Sequence, residues 1–247
     1  MALGGRILTW YEGRWHDGNA PILGAADHGA WQGTMVFDGA RAFEGVMPDL
    51  DLHCRRLVRS AQVMGLAPVL EAEAIEALLR EGVRQIGAER ALYLRPMMWS
   101  RDGSPAIIDA DPASSACAVC LEELPLQVPG EMALTVSPFR RPSPDAALTE
   151  AKAACHYPNN ARIVREARAR GFQNALSLDQ AGHVAETAST NVFMVKDGTV
   201  LTPAPNGTFL NGERLRGEAT LTDLDEVRIG DTEWRFELDL ADEGAPR

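Results

Sequence analysis

Apolar positions recur with the helix period in two segments of the first half of the chain. In residues 51–64 and 71–86 they return every three or four positions, which predicts two amphipathic helices. Short runs of apolar, aromatic and β-branched residues at 91–99 and 116–124 predict strands. A hairpin is predicted over residues 6–18, with its turn at the Glu-Gly step in the middle. The first half of the chain is therefore predicted to be α+β.

The second half combines one helix with several strands. Residues 132–139 predict a strand, and residues 161–170 predict a helix that Asn159 or Asn160 caps and that ends at Gly171. Two strand-turn-strand units follow, NALSLDQAGHVAET and NVFMVKDGTVLTP, with turns at their DQAG and KDG steps. This half is predicted to be α/β with strong hairpin signals.

The pattern is interrupted once, by two prolines and a glycine in PLQVPGE at residues 125–131. We interpret this segment as a linker between two lobes. The N-terminal lobe, residues 1–124, would be α+β, and the C-terminal lobe, residues 132–247, would be larger and α/β. The chain shows no internal repeats and no low-complexity tracts.

Composition and charge narrow the possible functions. The chain has 247 residues, of which 45% are hydrophobic and 24% charged, which is ordinary for a globular protein with a sizeable core. Its net charge of -11 disfavours nucleic acid and anionic membranes as partners, because both require a basic face. No stretch approaches the ~20 apolar residues of a membrane span, and the first residues do not resemble a secretory signal. We therefore expect a cytoplasmic protein without membrane attachment.

The four cysteines favour a structural role over a redox or zinc site. Cys117 and Cys120 lie in an apolar run, where a spacing of three along a strand places the two thiols on opposite faces of the sheet. Cys54 and Cys155 are isolated in the sequence. We therefore expect no metal site.

Lysine is rare in this chain, which has only two lysines among its 24 basic residues. Lys196 lies in a KDG turn, where a solvated charge is ordinary. Lys152 lies between a proline-containing loop and a predicted helix, and its amine, unlike a guanidinium, can lose a proton and attack a carbonyl when its pKa is lowered. From its spacing alone, Lys152 is either a Schiff-base lysine or a surface or salt-bridged lysine.

The residues that follow Lys152 occur in a characteristic order. Tyr157 comes five positions later, and Glu186 and Asn191 lie in the block VREARARGFQNALSLDQAGHVAETASTNVFMVKDGTVLTP. Similar segments precede them, in DHGAWQGTMVFDGARAFEGV, LHCRRLVRSA and LYLRPMMW. Over residues 6–212 the chain resembles the fold-type IV, or class IV, pyridoxal-phosphate-dependent aminotransferases, and in particular their branched-chain amino-acid branch. The resemblance implies the two-lobed class IV fold.

This resemblance also implies roles for three residues around the cofactor ring. Lys152 would hold pyridoxal phosphate as a Schiff base and carry a proton between the α-carbon of the substrate and the C4' atom of the cofactor. Glu186 would hydrogen-bond the pyridine nitrogen and keep it protonated, so that the ring accepts electrons. Tyr157 would hydrogen-bond the ring hydroxyl.

For the cofactor phosphate, the resemblance points to one arginine and one turn. Arg56, in HCRRL, would bind the phosphate through its planar guanidinium, although its helical context alone would predict an exposed arginine. Backbone amides of ETAST would share the anion. The further cofactor-binding candidates are Thr187, Ser189, Thr190 and Asn191.

For the substrate, Tyr93 and Arg95 match a Tyr-x-Arg pair of the branched-chain branch. Arg41 is a candidate for binding the carboxylate or closing the pocket. Phe37 and Trp31 are candidate walls for an aliphatic side chain, and each could equally belong to the core.

The implied activity is transfer of an amino group from a hydrophobic amino acid of the L-branched-chain type to a 2-oxo acid such as 2-oxoglutarate, in a homodimer. The alternatives are a D-amino-acid or (R)-amine transaminase, an aminodeoxychorismate-lyase-like enzyme, or a cofactor-free homologue.

The sequence departs from the family pattern at three places. Gln32 replaces a tyrosine, and Asp38 replaces the commoner glutamate of an FEG step. After Gly212 the expected continuation is missing, and TLTDLDEV and RIGD resemble separated pieces of the family's C-terminal segment. This last departure puts in question whether the phosphate site is complete.

Overall fold

The structure, a computed structural model, describes residues 5–126, 130–196, 199–201, 208–214, 226–229 and 232–235. The chain divides into two compact units. The first unit comprises Met1–Glu131 and Ser143–Pro158, and the second comprises Met132–Pro142 and Asn159–Arg247. This division differs from the predicted one in placing residues 143–158, and with them Lys152, in the first unit. The predicted lobe and linker boundaries themselves stay a prediction, and residues 127–129 of the linker lie outside the described residues.

The first unit is built on a six-stranded antiparallel sheet. Its strands run in the order β2-β1-β6-β5-β3, and β4 also pairs with β5. Their bounds are Ile7–Tyr11 for β1, Arg14–Asp17 for β2, Val36–Phe37 for β3, Ala40–Ala42 for β4, Leu92–Ser100 for β5 and Ser115–Glu123 for β6.

The predicted hairpin at the N-terminal end of the sheet is confirmed as β1 and β2. Tyr11 pairs with Arg14, so Glu12 and Gly13 form a two-residue turn. Both turn residues have positive φ, +49° and +79°, as the twist of a tight hairpin requires. Glycine adopts this conformation without a Cβ clash, whereas Glu12 adopts it at some cost.

The three helices of the first unit are α1 (His28–Trp31), α2 (Leu50–Val63) and α3 (Ala72–Ile86). The two predicted helices are confirmed as α2 and α3, within one residue at each end. Their buried stripes contain Leu57 in α2 and Leu79 in α3, and both pack into one cluster with the sheet residues Leu92 and Leu121. Burying side chains of this size contributes roughly 1.5–3 kcal/mol each to folding.

Alternation along the strands sorts the sheet residues onto two faces. Leu92 and Leu94 of β5 pack in the cluster with α2 and α3, whereas Met97 and Trp99 pack in a second cluster on the opposite face. The same alternation separates the two cysteine thiols of β6 between the two clusters, as the spacing predicted. Cys54, Cys117 and Cys120 are buried, Cys155 is exposed, and all four are free thiols.

The second unit contains a three-stranded sheet and most of helix α4. Strands β7 (Leu134–Val136) and β8 (Asn174–Leu178) are parallel, and α4 (Tyr157–Ala169) lies between them in the chain. Strand β9 (Val184–Thr187) returns antiparallel to β8 after the predicted DQAG turn, which is confirmed. A small core joins the helix to the sheet through Ile163, Ala167, Ala175 and Ala188.

Helix α4 begins earlier than predicted, so the proposed caps at Asn159 and Asn160 are wrong. A 3-10 turn over Ala154–His156 leads directly into the helix, which begins at Tyr157. Pro158 stands in the first turn, where its missing N–H costs nothing and its fixed φ suits the helix. Both asparagines therefore lie inside the helix.

The remaining strands are short. β10 (Met194–Lys196) pairs with β11 (Thr199–Leu201), which confirms the second hairpin. β12 (Thr208–Leu210), β13 (Glu213–Arg214), β14 (Glu226–Ile229) and β15 (Thr232–Arg235) form a separate sheet. The side chain of Lys196, its KDG turn and most of the tail after Gly212 lie outside the described residues, so the predictions made for them stay predictions.

Two properties of the described residues concern membrane spans and metal sites. None of the helices found there combines the length and apolar character needed to cross a bilayer. The same residues contain no cluster of three or more histidine, cysteine, aspartate or glutamate side chains with the geometry of a metal site.

Candidate functional site

The main chain at Lys152 is held between a strand and a helix. The Phe37 N–H donates to the Lys152 carbonyl at 3.1 Å, and the Lys152 N–H donates to Ser60 Oγ in α2 at 3.0 Å. Ala153 bridges to β3, and both it and Ala151 are buried. These contacts fix the position from which the lysine side chain extends.

The ε-amine of Lys152 lies beside aromatic rings. Its Nζ is 5.5 Å from the centroid of the Phe37 ring and 5.8 Å from that of Tyr157, and the two rings are 5.0 Å apart. Among the residues that the structure describes, no Asp or Glu forms an ion pair with this amine. An amine that is not committed to a carboxylate remains able to react with a carbonyl, so the surroundings favour the reactive lysine over the salt-bridged one.

Tyr157 is the first residue of α4 and is 38% exposed. Its ring packs against that of Phe37, with the two ring planes at 53°. The 3-10 turn over Ala154–His156 lies between Lys152 and Tyr157 in the chain.

Arg56 lies one helical turn before Ser60 in α2. The same face of the helix therefore carries the arginine predicted to bind phosphate and the serine that contacts the main chain of Lys152. The guanidinium of Arg56 forms two hydrogen bonds with Asp38, from Nε at 2.6 Å and from Nη2 at 2.8 Å. His53 Nδ1 lies 2.8 Å from the same carboxylate. Arg56 is therefore an oriented and largely buried arginine rather than an exposed helix residue.

Most of the predicted substrate residues share one face of the first unit's sheet. Phe37, Arg41, Tyr93 and Arg95 occupy the half-buried positions that alternate with the residues packed on α2 and α3. Arg41 pairs with Tyr93 across the strands, and Arg95 lies over the Tyr93 ring at 4.9 Å. Gly39 leaves room for Tyr93, because a Cβ there would overlap the tyrosine ring and hydroxyl.

Arg41 and Arg95 give this face the charge that a carboxylate substrate needs. Arg41 Nη2 donates to the carbonyl of Leu124, and its buried Nε has no hydrogen-bond partner among the described residues. Burial lowers the pKa of Arg41, which marks a cation poorly compensated by solvent. Arg95 lies 3.5 Å from Glu122, a long contact for an ion pair. An anionic ligand at this face would therefore compensate an under-solvated cation.

Trp31 does not join this group. It ends helix α1, is 55% exposed, and packs edge-on against His28 with the ring centroids 5.7 Å apart. No ring contact joins it to Phe37 or Tyr157, all three of which are described. Its role as a pocket wall stays a prediction.

In the second unit, Glu186 lies on β9 beside Arg141. Arg141 Nη1 is 2.6 Å from Glu186 Oε1, and the two side chains are 15% and 30% exposed. The loop that carries Arg141 is tied to the sheet, since the Arg141 N–H donates to the Leu178 carbonyl at 2.9 Å. Ser177 lies opposite Glu186 on β8, and its buried hydroxyl has no partner among the described residues. Glu186 is thus an oriented carboxylate.

The predicted phosphate turn after Glu186 is compact and internally bonded. The Thr187 hydroxyl accepts the N–H groups of Thr190 at 2.9 Å and Ser189 at 3.3 Å, so these two amides are already used within the turn. The Ser189 hydroxyl accepts a hydrogen bond from Asn174 at 3.2 Å. Asn191, the next residue, is exposed. The Thr187 hydroxyl donates to the Thr190 carbonyl at 2.9 Å, so the Ser189 hydroxyl, which only accepts a hydrogen bond here, is the better candidate for donating to an anion.

Three further residues of the candidate site were not indicated by the sequence patterns. Asp38 was noted only as a departure from the FEG step, Ser60 was part of an ordinary helical pattern, and Arg141 was one arginine of a loop doublet. The signals that could have found them were the proximity of Asp38 to a predicted substrate residue and the position of Ser60 one turn after Arg56.

These donor groups fit pyridoxal phosphate. Lys152 supplies an amine for the aldehyde and Tyr157 a phenol for the ring hydroxyl. Glu186 supplies a carboxylate for the pyridine nitrogen, and Arg56 a guanidinium for the phosphate. Lys152, Tyr157 and Arg56 belong to the first unit, and Glu186 belongs to the second.

The sequence is similar to known aminotransferases. Residues 35–217 match the family model described as amino-transferase class IV. The chain is 32% identical over 185 residues to a probable branched-chain-amino-acid aminotransferase of Rickettsia felis, an alignment that covers 75% of this chain and 63% of the relative. The chain therefore spans less than two thirds of the length of that relative.

Solved structures agree with this match. An aminotransferase from Brucella abortus, bound to the cofactor PLP, is 49% identical, with a TM-score of 0.80 over 82% of this chain and 72% of that one. The branched-chain aminotransferase of Thermoproteus uzoniensis, solved with norvaline, is 30% identical, with a TM-score of 0.71 over 81% and 68% of the two chains.

Proposed function

We propose that this chain, which belongs to the class IV aminotransferases, catalyses amino-group transfer with pyridoxal phosphate as its cofactor. The match to the family model and the similarity to the Brucella abortus aminotransferase confirm the predicted family and the predicted α+β class IV fold. The observation that carries the proposal is the setting of Lys152, at the family's lysine position, with its amine beside two aromatic rings and outside any ion pair with the described acids.

Pyridoxal phosphate, when bound, supplies an aldehyde that joins the amino group and a ring that accepts the electrons of the Cα–H bond. Lys152 Nζ would take the proton from the α-carbon of the substrate and deliver it to the carbon of the cofactor's former aldehyde. The hydroxyl of Tyr157 would donate a hydrogen bond to the ring oxygen. The fixed main chain of Lys152 keeps the amine in reach throughout, because Ser60 and Phe37 hold it from both sides.

Glu186 would contact the pyridine nitrogen, where a carboxylate favours the protonated ring. Arg141 contacts one oxygen of Glu186 and so orients its carboxylate. For the phosphate, we propose Arg56 together with Thr187, Ser189, Thr190 and Asn191.

For the substrate, we propose an L-amino acid with a branched aliphatic side chain, and a 2-oxo acid such as 2-oxoglutarate as amino acceptor. Arg41 and Arg95 offer cations for substrate carboxylates, and Tyr93 and Phe37 offer apolar surface on the same sheet face. Trp31 is retained as a candidate wall. The names of the relatives point to the same substrate class.

The two lysines allow a direct test. The chain is incubated with pyridoxal phosphate and reduced with borohydride, and the modified peptide is identified by mass spectrometry. We expect the label on Lys152. The spectrum of the loaded protein should then change on addition of L-leucine or L-valine, and Lys152→Ala should abolish both results. Lys196→Ala is the matched control and should behave as the unmodified chain.

Other outcomes would decide between the alternatives. Label on Lys196 alone, or no binding with excess cofactor, would sink the proposal. A spectral response only to D-alanine or to an (R)-amine would assign a different substrate class. Release of pyruvate from aminodeoxychorismate without an amino acceptor would indicate a lyase.

Assembly and location also remain proposals. We propose a homodimer, as the family resemblance implies, and expect sedimentation velocity to give twice the mass of the 26.8 kDa chain. A cytoplasmic location stays a prediction from the sequence.

A further inference from the structure

Asp38 is a buried acid to which the family resemblance assigns no role. Its side chain has no exposed surface, its N–H donates to the Pro96 carbonyl at 3.1 Å, and its Oδ1 accepts the Gly39 N–H at 2.7 Å. It lies directly after Phe37, so it connects the strands of the proposed substrate face to helix α2. Burying a carboxylate costs free energy of desolvation unless it is paired. The residues that pair with Asp38 therefore indicate what it does.

Those partners are both on α2. Arg56 donates to both carboxylate oxygens, and His53, one turn earlier in the helix, contacts Oδ1. Burial would raise the pKa of Asp38, but the hydrogen bonds from Arg56 and His53 outweigh it and lower the pKa to about 2. The two-point contact with Arg56 fixes the plane of the guanidinium as well as its position.

The pair is unequally exposed. The Arg56 side chain retains 23% of its surface, whereas Asp38 retains none. Asp38 therefore has no surface for contact with a ligand, and Arg56 is the member of the pair that can reach one.

We infer that Asp38, supported by His53, is a positioning residue that holds Arg56 in the orientation required to bind the cofactor phosphate, an inference that rests on the proposed function. An arginine side chain is flexible, and ordering it on binding costs entropy. The bidentate contact orders Arg56 before the phosphate arrives.

The charge of Asp38 allows its two effects on phosphate binding to be distinguished, because they have opposite signs. As a negative charge, Asp38 opposes an anionic ligand, so simple electrostatics predicts that Asp38→Asn would tighten phosphate binding. As an orienting group, Asp38 promotes binding, so the same substitution would weaken it.

The test compares pyridoxal phosphate with pyridoxal, which carries the same aldehyde but no phosphate. Dissociation constants for both are measured by absorbance titration of the full chain. The dissociation constant of pyridoxal divided by that of pyridoxal phosphate, called the ratio below, isolates the contribution of the phosphate to affinity. We expect Asp38→Asn to reduce this ratio by roughly tenfold or more while changing pyridoxal binding less than about twofold. Asp38→Glu should retain most of the ratio, because it keeps a carboxylate.

Glu76→Gln provides a matched control, since it removes the acid of another arginine pair, with Arg80 on α3, and should leave both constants unchanged. If Asp38→Asn does not fold, His53→Gln replaces it and should lower the ratio about threefold, because Arg56 loses part of its support. An unchanged ratio in His53→Gln would then overturn the inference.

The remaining outcomes are also decisive. A higher or unchanged ratio in Asp38→Asn, or an equal loss of both ligands, would overturn the positioning role. If the unmodified chain binds both aldehydes equally at Lys152, the inference fails and the proposed reaction stands. If it binds neither, both fail.

Discussion

Two arginine–carboxylate pairs, one in each unit, have opposite patterns of burial. In the Asp38–Arg56 pair the acid is fully buried and the arginine is 23% exposed. In the Arg141–Glu186 pair the arginine, at 15%, is less exposed than the acid, at 30%. Both have their closest contact at 2.6 Å, so the difference lies in which partner reaches solvent. The more exposed member is in each case the one assigned to the cofactor, and the more buried member orients it.

This difference follows from the surroundings of each pair. Asp38 follows β3, the last strand of the six-stranded sheet, and its side chain is fully buried against α2, whereas Arg141 lies on a loop that is hydrogen-bonded to the three-stranded sheet. The first pair should therefore matter for folding as well as for binding. The second should matter mainly for the chemistry that Glu186 supports.

The strongest test of this contrast is the stability of Asp38→Ala. Removing the acid breaks an ion pair whose carboxylate is fully buried, which should lower the free energy of unfolding by about 3–5 kcal/mol. A urea titration without cofactor, followed by tryptophan fluorescence, measures it. Four of the five tryptophans, Trp10, Trp15, Trp31 and Trp99, lie in the same unit as Asp38.

The matched variant in the second unit is Arg141→Ala. Because Glu186 is partly solvated, we expect a loss of about 1 kcal/mol or less. Equal losses in the two variants would remove the structural distinction between the pairs.

The second test concerns turnover. Glu186→Gln should retain the cofactor but lower kcat by about a hundredfold or more, because the neutral amide no longer favours a protonated pyridine nitrogen. Cofactor content is read from absorbance and kcat from a coupled assay for the 2-oxo product. Unchanged turnover would mean that another residue contacts the nitrogen.

Arg141→Gln sharpens this result. It should lower kcat by roughly tenfold, and the double variant should be no slower than Glu186→Gln, because Arg141 acts through Glu186. Additive losses would show that Arg141 has a separate role.

The third test is the response of the Asp38–Arg56 pair to acid. The pKa of Asp38 is about 2 in the folded chain and has an ordinary value of 3.8, so ionised Asp38 stabilises the fold above that value. This contribution, about 2 kcal/mol, should be lost as the pH falls from about 5 towards 2. Urea midpoints at pH 5 and pH 3 should differ less in Asp38→Asn than in the unmodified chain. An identical acid response would show that Asp38 does not titrate with unfolding.

Much of the local structure followed from the sequence alone. Helices α2 and α3 and the hairpins were predictable because each is specified by a short-range pattern, either an apolar stripe or a turn step. The start of α4 was not, because Pro158 and the preceding 3-10 turn favoured an earlier beginning than the asparagines suggested.

The candidate site divides in the same way. The scarcity of lysine and the order of Lys152, Tyr157 and Glu186 predicted candidate reactive residues without any structure, since a chemical role requires a particular side chain at a particular place in the family's order. Asp38, Ser60 and Arg141 carry no such signal. Acids, serines and arginines are common, and their roles come from what they contact.

The sequence by itself thus determined the main helices and hairpins and the family, and it singled out Lys152 as the candidate Schiff-base residue. Periodicity and residue order are properties of neighbours along the chain. The tertiary structure decided which partner of each ion pair is buried, that α2 holds both Arg56 and the main chain of Lys152, and that the amine of Lys152 lies beside aromatic rings. These depend on contacts between segments far apart in sequence, and burial, which sets the strength of each contact, exists only once those segments have packed.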